Sequence, residues 1–221
     1  MSIRHIAFDI PRHFVPISAT SIRGNIFQNW NFLPDSVKKY LAVRVVILGT
    51  ESTGKSTLAQ LLTNHFHGTL VSEAGREIVN NSQSFQRSDL DKIAIQHTRQ
   101  IEQAIISNSP VIIVDTDIHI TKSYCQFVFH QELIVPDDVL EKHCADLYLH
   151  LNNDVPHVQD GTRLEEAERN LLDISHRTIL AEHGIEYVEI NGNWDERLKK
   201  SVEHIDSLVN KKLNILAKPG S

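Results

Sequence analysis

The stretch "VVILGTESTGKSTLAQLL", residues Val45–Leu62, combines an apolar run, a loop framed by two glycines and a helical pattern. The loop from Gly49 to Ser56 matches G-x-x-x-x-G-K-[ST] in full, and it follows an apparent strand and precedes an apparent helix, as that phosphate-binding pattern requires. Gly49 and Gly54 allow backbone conformations that a β-carbon would resist. The loop N–H groups can therefore point inward at the positive end of a helix, which predicts a P-loop.

The residue types in this loop predict contacts with ATP and Mg²⁺. Lys55 would place a positive charge on the β and γ phosphates, Ser56 would offer its hydroxyl to Mg²⁺, and Thr57 is placed to reach the α phosphate. The complete predicted nucleotide-binding set is Gly49, Glu51, Ser52, Thr53, Gly54, Lys55, Ser56 and Thr57.

From Ala42 onward, short β-branched runs alternate with longer segments of helical periodicity, which is typical of a parallel sheet covered by helices. The predicted strands are 43–48, 68–72, 110–115, 145–151 and 184–190. The predicted helices are 55–66, 89–107, 117–129, 164–183 and 194–211. No hairpin turn signal separates the strands, so we expect an α/β P-loop NTPase fold, like that of nucleoside and nucleotide kinases, with five parallel strands and helices on both faces.

Composition limits the classes of partner. The chain has 221 residues, of which 41% are hydrophobic, enough to bury one core. A net charge of -6 argues against a nucleic-acid-binding surface, and no run approaches the ~20 apolar residues that span a bilayer. The two cysteines, Cys125 and Cys144, lack a partner pattern and are expected to be reduced thiols. We therefore expect a cytoplasmic protein that acts on a small molecule.

A second acidic segment, "VIIVDTD", follows the apolar run that forms the third predicted strand. Asp115 and Asp117 would emerge at the carboxyl end of that strand, the edge at which open α/β sheets bind ligands. Asp115 is predicted to hold Mg²⁺ together with Ser56, either as an outer-sphere partner or as a direct ligand. For Asp117 two roles remain open, a part in phosphoryl transfer or the N-cap of the following helix.

The acceptor side of the site is predicted from "LVSEAGREIV". Glu73 falls at the end of the second predicted strand, and Arg76 follows it closely. A small-molecule kinase needs a carboxylate near the acceptor hydroxyl and a cationic group that holds the substrate. Glu73 and Asp117 both remain candidates for the base, and both, with Arg76, are predicted to bind substrate.

The segment "PHVQDGTRLEEAERNLLDISHRTIL" carries Arg163, Arg169 and Arg177 between the fourth and fifth strands. Arginines there suit a lid that neutralises charge on a triphosphate and excludes water. The alternative is a solvated helix with pairs such as Glu165 and Arg169. Arg163, which precedes the regular helix, is predicted to be catalytic with Lys55, whereas Arg177 favours the structural role.

Other phosphate-loop classes lack their signatures in this chain. The nearest sequence to the guanine-reading Asn-Lys-x-Asp motif is "NKKL" at residue 210, which lacks the carboxylate. No strand ends in a double-acidic pair, and the chain is short for an AAA-type ATPase. The sequence therefore favours a small-molecule kinase over a GTPase or an AAA-type ATPase.

Taken together and in this order, "ILGTESTGKST", "EAGRE", "VDTD" and "DGTR" resemble the ribosylnicotinamide kinase domain of NadR-type proteins. In those proteins a nicotinamide-mononucleotide adenylyltransferase domain precedes the kinase. The resemblance implies ATP-dependent phosphorylation of ribosylnicotinamide to nicotinamide mononucleotide, a step of NAD salvage. It also implies a kinase domain over residues 43–212 and a flexible tail over 213–221.

"ISATSIR", residues Ile17–Arg23, resembles the nucleotide-binding helix start of the adenylyltransferase. Residues 1–42 are therefore expected to be the end of such a domain, packed on the kinase. The front half of that domain is missing from this sequence, so the resemblance implies no adenylyltransferase activity for this chain.

One departure from the family concerns the acceptor. Family members tend to carry aromatic residues around the glutamate motif, where this chain has Ser72 and Ala74. Stacking and cation–π contacts are worth about 0.5–2 kcal/mol, so their loss could redirect substrate choice. Tyr124 is the candidate replacement ring, whereas Phe127 and Phe129 fit the core face of a helix. A kinase for another nucleoside or metabolite, or an ATP-binding regulatory module, are the alternatives.

Overall fold

The computed structural model describes residues 13–14, 16–75, 86–107, 109–155 and 165–217, without the side chains of 213–217. Two predicted site residues, Arg76 and Arg163, lie outside the described residues. The strands are β1 (Val43–Leu48), β2 (Thr69–Val71), β3 (Val111–Asp115), β4 (Leu147–Leu151) and β5 (Val188–Ile190). The helices are α1 (Ala19–Gly24), α2 (Asp35–Leu41), α3 (Lys55–Phe66), α4 (Arg87–Ile105), α5 (Ile118–Phe129), α6 (Asp137–His143), α7 (Glu166–Glu182) and α8 (Trp194–Ala217).

The five strands form one parallel sheet in the order β2-β3-β1-β4-β5. This confirms the predicted fold class, and the strands differ from the predicted ranges mainly by being shorter at their ends. Strand β1 lies between β3 and β4, and the strand order reverses beside it. In open α/β sheets the ligand crevice lies at such a reversal, outside the carboxyl ends of the strands. The P-loop, which follows β1, therefore lies at that crevice.

Side chains of β1 alternate between the two faces of the sheet, as strand geometry requires. Val45 and Ile47 pack with α3 and α8, while Val46 and Leu48 pack with α4 and α7. All four are at most 2% exposed. Helices on both faces fix the strand ends, and with them the loop that follows β1.

The segment before β1 is part of the same core. Ile26 and Trp30 are buried and pack with residues of α4 and the sheet. The Trp30 indole Nε1–H donates to the Ser107 carbonyl oxygen at 3.0 Å. Whether residues 1–42 derive from an adenylyltransferase domain stays a prediction.

Two features of the described chain bear on other expectations. Helix α6 was not predicted, because its seven residues are too few to display a helical period. Cys125 and Cys144 are both free thiols, as expected. None of the helices in the described ranges is long and apolar enough to cross a membrane.

Candidate active site

The P-loop has the backbone conformation that its sequence predicts. Gly49 and Gly54 have φ values of 136° and 87°, and Ser52 has a φ of 61°. A β-carbon on Gly49 would lie 2.8 Å from the Leu151 carbonyl oxygen, and one on Gly54 would lie 2.0 Å from the Trp194 ring. Both glycines are therefore required by conformation and by packing. Gly54 is the N-cap of α3, so the loop lies at the positive end of a twelve-residue helix.

Internal hydrogen bonds hold the loop closed on itself. The Lys55 ammonium and the Thr53 hydroxyl both donate to the Thr50 carbonyl oxygen, each at 2.8 Å. The Thr50 hydroxyl donates to Asn153 Oδ1 at 2.7 Å, and Asn153 donates in turn to Asn170 on α7 at 3.2 Å. The lysine thus lies across the loop, and the loop is joined to the end of β4 and to α7.

Ser56 and Asp115 meet as the sequence predicts. The Ser56 hydroxyl donates to Asp115 Oδ2 at 2.5 Å, and Asp115 is 3% exposed at the end of β3. Adjacent parallel strands bring them together, since Asp115 is in register with Ile47 of β1.

This pair fits a magnesium ion. A hydroxyl and a carboxylate are the hard oxygen ligands that Mg²⁺ prefers, and the ion keeps several waters and substrate oxygens. Among the described residues, no group of three or more His, Cys, Asp or Glu side chains is arranged to hold a metal by itself. A P-loop magnesium ion does not need such a group, because phosphate oxygens complete its shell.

Asp117 is the N-cap of α5 and is fully buried. Its Oδ1 accepts from the backbone N–H of His119 at 3.0 Å and of Ile120 at 3.3 Å, while Oδ2 lies 2.7 Å from His119 Nδ1. Burial alone would raise the pKa of the Asp117 carboxyl, but the bonds and charge of His119 lower it below its ordinary value. The carboxylate is therefore ionised and engaged, an arrangement that favours capping. Its part as a base or a substrate ligand stays a prediction.

Three side chains from different elements converge beside the loop. Glu51 lies in the loop, Glu73 follows β2, and Tyr124 lies half-buried on α5. Burial raises the pKa of the Tyr124 hydroxyl, and the carboxylates of Glu51 and Glu73 raise it further. Both carboxylates are therefore close enough to Tyr124 to influence its charge. We call this group the acceptor cluster.

The other two aromatic residues considered from the sequence lie elsewhere. Phe129 packs with the apolar cluster that includes Leu90 and Ile118. Phe127 lines a surface cavity of about 470 Å³ between α5 and α7, with Ser175 and Thr178. Phe129 therefore has the core-face role favoured for it, whereas Phe127 faces a surface cavity rather than the core.

Arg169 does not form the solvated helical surface that was the alternative for this segment. Its side chain is 2% exposed, and its Nε and Nη1 have no hydrogen-bond partner in the described structure. His176 lies two turns later on the same face of α7, where burial and the Lys55 charge lower its pKa to about 3. This face of α7 therefore points toward the phosphate-binding lysine.

Arg177, by contrast, has a full set of protein partners. It forms ion pairs with Asp173 at 2.8 Å and with Glu189 at 2.6 Å, and it donates to the Tyr187 hydroxyl at 3.1 Å. These contacts join α7 to β5. They agree with the structural role that the sequence favoured.

Sequence reasoning missed Arg197 and Trp194, at the start of α8. Arg197 is fully buried and donates to the Thr53 carbonyl oxygen of the P-loop at 2.8 Å. The Trp194 ring lies over Gly54. Nothing in the helical pattern of residues 194–211 distinguishes these two positions from ordinary amphipathic ones, so the sequence carries no signal for them.

A family model matches the part of the chain that carries this site. The model of a family described as "AAA domain" matches residues 44–197, from β1 to the first turn of α8. The chain belongs to this family. The match extends over the P-loop, the sheet and the first turn of α8, so it is a match to the domain rather than to a single motif.

Individual relatives are similar over most of this chain. The "Trifunctional NAD biosynthesis/regulator protein NadR" of Salmonella typhimurium (strain LT2) is 33% identical to this chain. The alignment covers 95% of this chain and 53% of that protein. The chain therefore spans about half the length of the curated relatives it matches. A crystal structure of NadR protein in complex with NR superposes with a TM-score of 0.69 at 20% identity, covering 90% of this chain and 60% of that one. A NadR structure with NAD and AMP-PNP gives 0.64 at 19% identity, covering 95% and 60%. These two structures share the fold.

Proposed function

We propose that this protein is an ATP-dependent kinase that transfers the γ-phosphoryl group to the ribose 5′-hydroxyl of ribosylnicotinamide, giving nicotinamide mononucleotide. The observation that carries the proposal is the P-loop with its Ser56–Asp115 pair at the carboxyl edge of the sheet, where Glu73 follows β2 and α5 carries Tyr124. The resemblance to NadR, whose crystal structures hold NR in one case and AMP-PNP in another, supports the same reaction.

The loop and its neighbours bind the phosphate donor. Backbone N–H groups of the loop and the positive end of α3 attract the phosphates, and Lys55 exchanges its bond to the Thr50 carbonyl for the β and γ oxygens. Mg²⁺, when held by Ser56 and Asp115, would neutralise part of the phosphate charge. These residues orient the γ-phosphate toward the acceptor cluster.

Arg169 supports an anionic ligand at this site. A guanidinium that is 2% exposed and forms no ion pair with any carboxylate of the described residues is costly to bury, so an anion that pairs with it would stabilise the bound state. The transferred phosphoryl group carries charge on its equatorial oxygens, and a planar guanidinium matches that geometry. Arg163 remains a second candidate for this role.

The acceptor cluster suits a cationic substrate. Ribosylnicotinamide carries a positive charge on its pyridinium ring, and the carboxylates of Glu51 and Glu73 would attract it while the Tyr124 ring offers a stacking face. Phosphoryl transfer needs little covalent help from the protein, so Glu73 acts mainly by orienting the hydroxyl in line with the γ-phosphate. Tyr124 takes the place of the aromatic residues that Ser72 and Ala74 do not provide.

A coupled ADP-release assay tests the proposal. The purified chain, Mg²⁺ and ATP are combined with ribosylnicotinamide, uridine, cytidine, thymidine or no acceptor. Stimulation by ribosylnicotinamide alone is expected, and the Glu73→Gln and Tyr124→Leu variants should raise the KM for that acceptor more than the KM for ATP. Stimulation by a neutral nucleoside instead would show that the acceptor is that nucleoside and not ribosylnicotinamide. ATP binding without any stimulated turnover would favour an ATP-binding regulatory module over an enzyme.

A further inference from the structure

The side chain of Arg197 connects four separate backbone and side-chain acceptors around the P-loop. Its Nε donates to the Gly192 carbonyl at 2.9 Å, Nη1 to the Thr53 carbonyl at 2.8 Å and Nη2 to the Asn152 carbonyl at 3.0 Å. Nη2 also pairs with Asp154. The side chain is 0% exposed. One guanidinium thus joins the loops after β1, β4 and β5.

The bond to Thr53 fixes the direction of one peptide plane in the P-loop. In a planar trans peptide the C=O of one residue and the N–H of the next point in opposite directions. Arg197 holds the Thr53 oxygen toward α8, so the Gly54 N–H points to the other side of the chain. A loop N–H that is already oriented loses less entropy when it binds phosphate.

Trp194 holds the same peptide from a second direction. Its ring lies where a β-carbon of Gly54 would be, and the Arg197 guanidinium carbon is 5.8 Å from the Trp194 ring centroid. The two side chains lie three positions apart in the first turn of α8. Gly54 has a φ of 87° and is confined in two ways. The Trp194 ring packs against it, and Arg197 donates a hydrogen bond to the preceding carbonyl oxygen, that of Thr53.

Asp154 supplies the counter-charge that makes this arrangement stable. Burial alone would raise the pKa of the Asp154 carboxyl, but the Gly192 N–H and the Arg197 guanidinium lower it below its ordinary value. The Gly192 N–H donates to Asp154 Oδ2 at 2.7 Å. The carboxylate is therefore ionised at neutral pH, and the buried guanidinium is paired, with a hydrogen bond from each of its three nitrogens.

From these contacts we propose that Arg197 is a positioning residue for nucleotide binding. It sets the orientation of the Thr53–Gly54 peptide, and thereby the affinity of the loop for phosphate, without touching the ligand. The inference rests on the nucleotide-binding part of the proposed function but not on the identity of the acceptor.

Binding of ADP by calorimetry and inhibition by inorganic tripolyphosphate test the proposal, since the second ligand probes the phosphate loop without a base. Arg197→Met should weaken both by about tenfold or more, a loss of about 1.4 kcal/mol, with kcat at saturating ATP and the KM for the acceptor nearly unchanged. Arg197→Lys, which can still donate to the Thr53 carbonyl, should recover part of the affinity.

Lys212→Met is the matched control. Lys212 also joins a carbonyl, that of Ala42 at 2.7 Å, to a carboxylate, that of Asp146 at 2.8 Å, but it lies away from the loop. Its loss should lower the melting temperature and leave ADP affinity unchanged. A folded Arg197→Met variant that binds ADP as tightly as the wild type would overturn the proposal; if that variant does not fold, unchanged affinity in Arg197→Lys would do so. Wild-type protein that binds ADP but does not phosphorylate ribosylnicotinamide would remove the acceptor assignment and leave the role of Arg197 standing.

Discussion

Replacing Gly54 with alanine tests how the loop is held, because the structure gives two separable penalties. The first is conformational: at a φ of 87° an L-residue is disfavoured by about 1–2 kcal/mol. The second is steric, since the new β-carbon would lie 2.0 Å from one Trp194 ring carbon and 2.6 Å from another. Overpacking of this kind typically costs about 1–3 kcal/mol. The sum is about 2–5 kcal/mol.

This energy should appear as lost nucleotide affinity, lost stability, or both, according to whether the loop or the tryptophan moves. If the loop alone moves, ADP binding should weaken by about 30-fold or more, since each 1.4 kcal/mol is tenfold. Calorimetric titration with ADP and urea unfolding measure the two parts. Their summed free-energy change is the quantity predicted from the geometry.

A double-mutant cycle separates the two penalties. Trp194→Ala removes the ring, so Gly54→Ala in that background should keep only the conformational term, with a coupling energy of about 1–3 kcal/mol. Gly184→Ala is the matched control, because Gly184 has a φ of 64° and nothing within 4 Å of its added β-carbon. Its cost should equal the conformational term alone. A Gly54→Ala variant as stable and as tightly bound to ADP as the wild type would refute this reasoning, as would a cycle without coupling.

Three further predictions concern single residues. Asp115→Asn should raise the Mg²⁺ concentration needed for half-maximal activity by about tenfold, because the ion would lose a carboxylate that lies 2.5 Å from the Ser56 hydroxyl; a magnesium titration measures this, and an unchanged requirement contradicts the assignment. Arg169→Met should lower kcat by about tenfold or more without lowering thermal stability, since the buried guanidinium pairs with no described side chain; a variant that is less stable and equally active would count against the role. Burial lowers the pKa of His143 to about 3, so between pH 6.5 and that value the unfolded state binds a proton that the folded state excludes, and stability falls as the pH falls, by up to about 1.4 kcal/mol per pH unit. Urea unfolding at several pH values from 7 to 5 measures this. The free energy of unfolding should fall less steeply with decreasing pH in His143→Gln than in the wild type.

The local parts of the site could be predicted because their physics is local. The P-loop is one contiguous segment in which glycines, a lysine and a serine follow a strand, and the pattern contains its own context. The Ser56–Asp115 contact was also predictable, although 59 positions separate the two residues, because parallel strands end at the same edge of a sheet. Asp117 was recognisable as a possible cap because it directly precedes a helical pattern.

The sequence by itself determined the strands, the helices that follow them, and the position of the phosphate loop, since β-branched runs and helical periods are properties of neighbouring residues. Only the tertiary structure decided which side chains reach the loop from elsewhere. Arg197 bonds to Thr53 across 144 positions, Trp194 confines Gly54, and Arg169 is buried rather than solvated. A helical period indicates which face of a helix is buried but not what that face meets. The partner is chosen by how the sheet order and the packing bring distant elements together, and no local pattern carries that information.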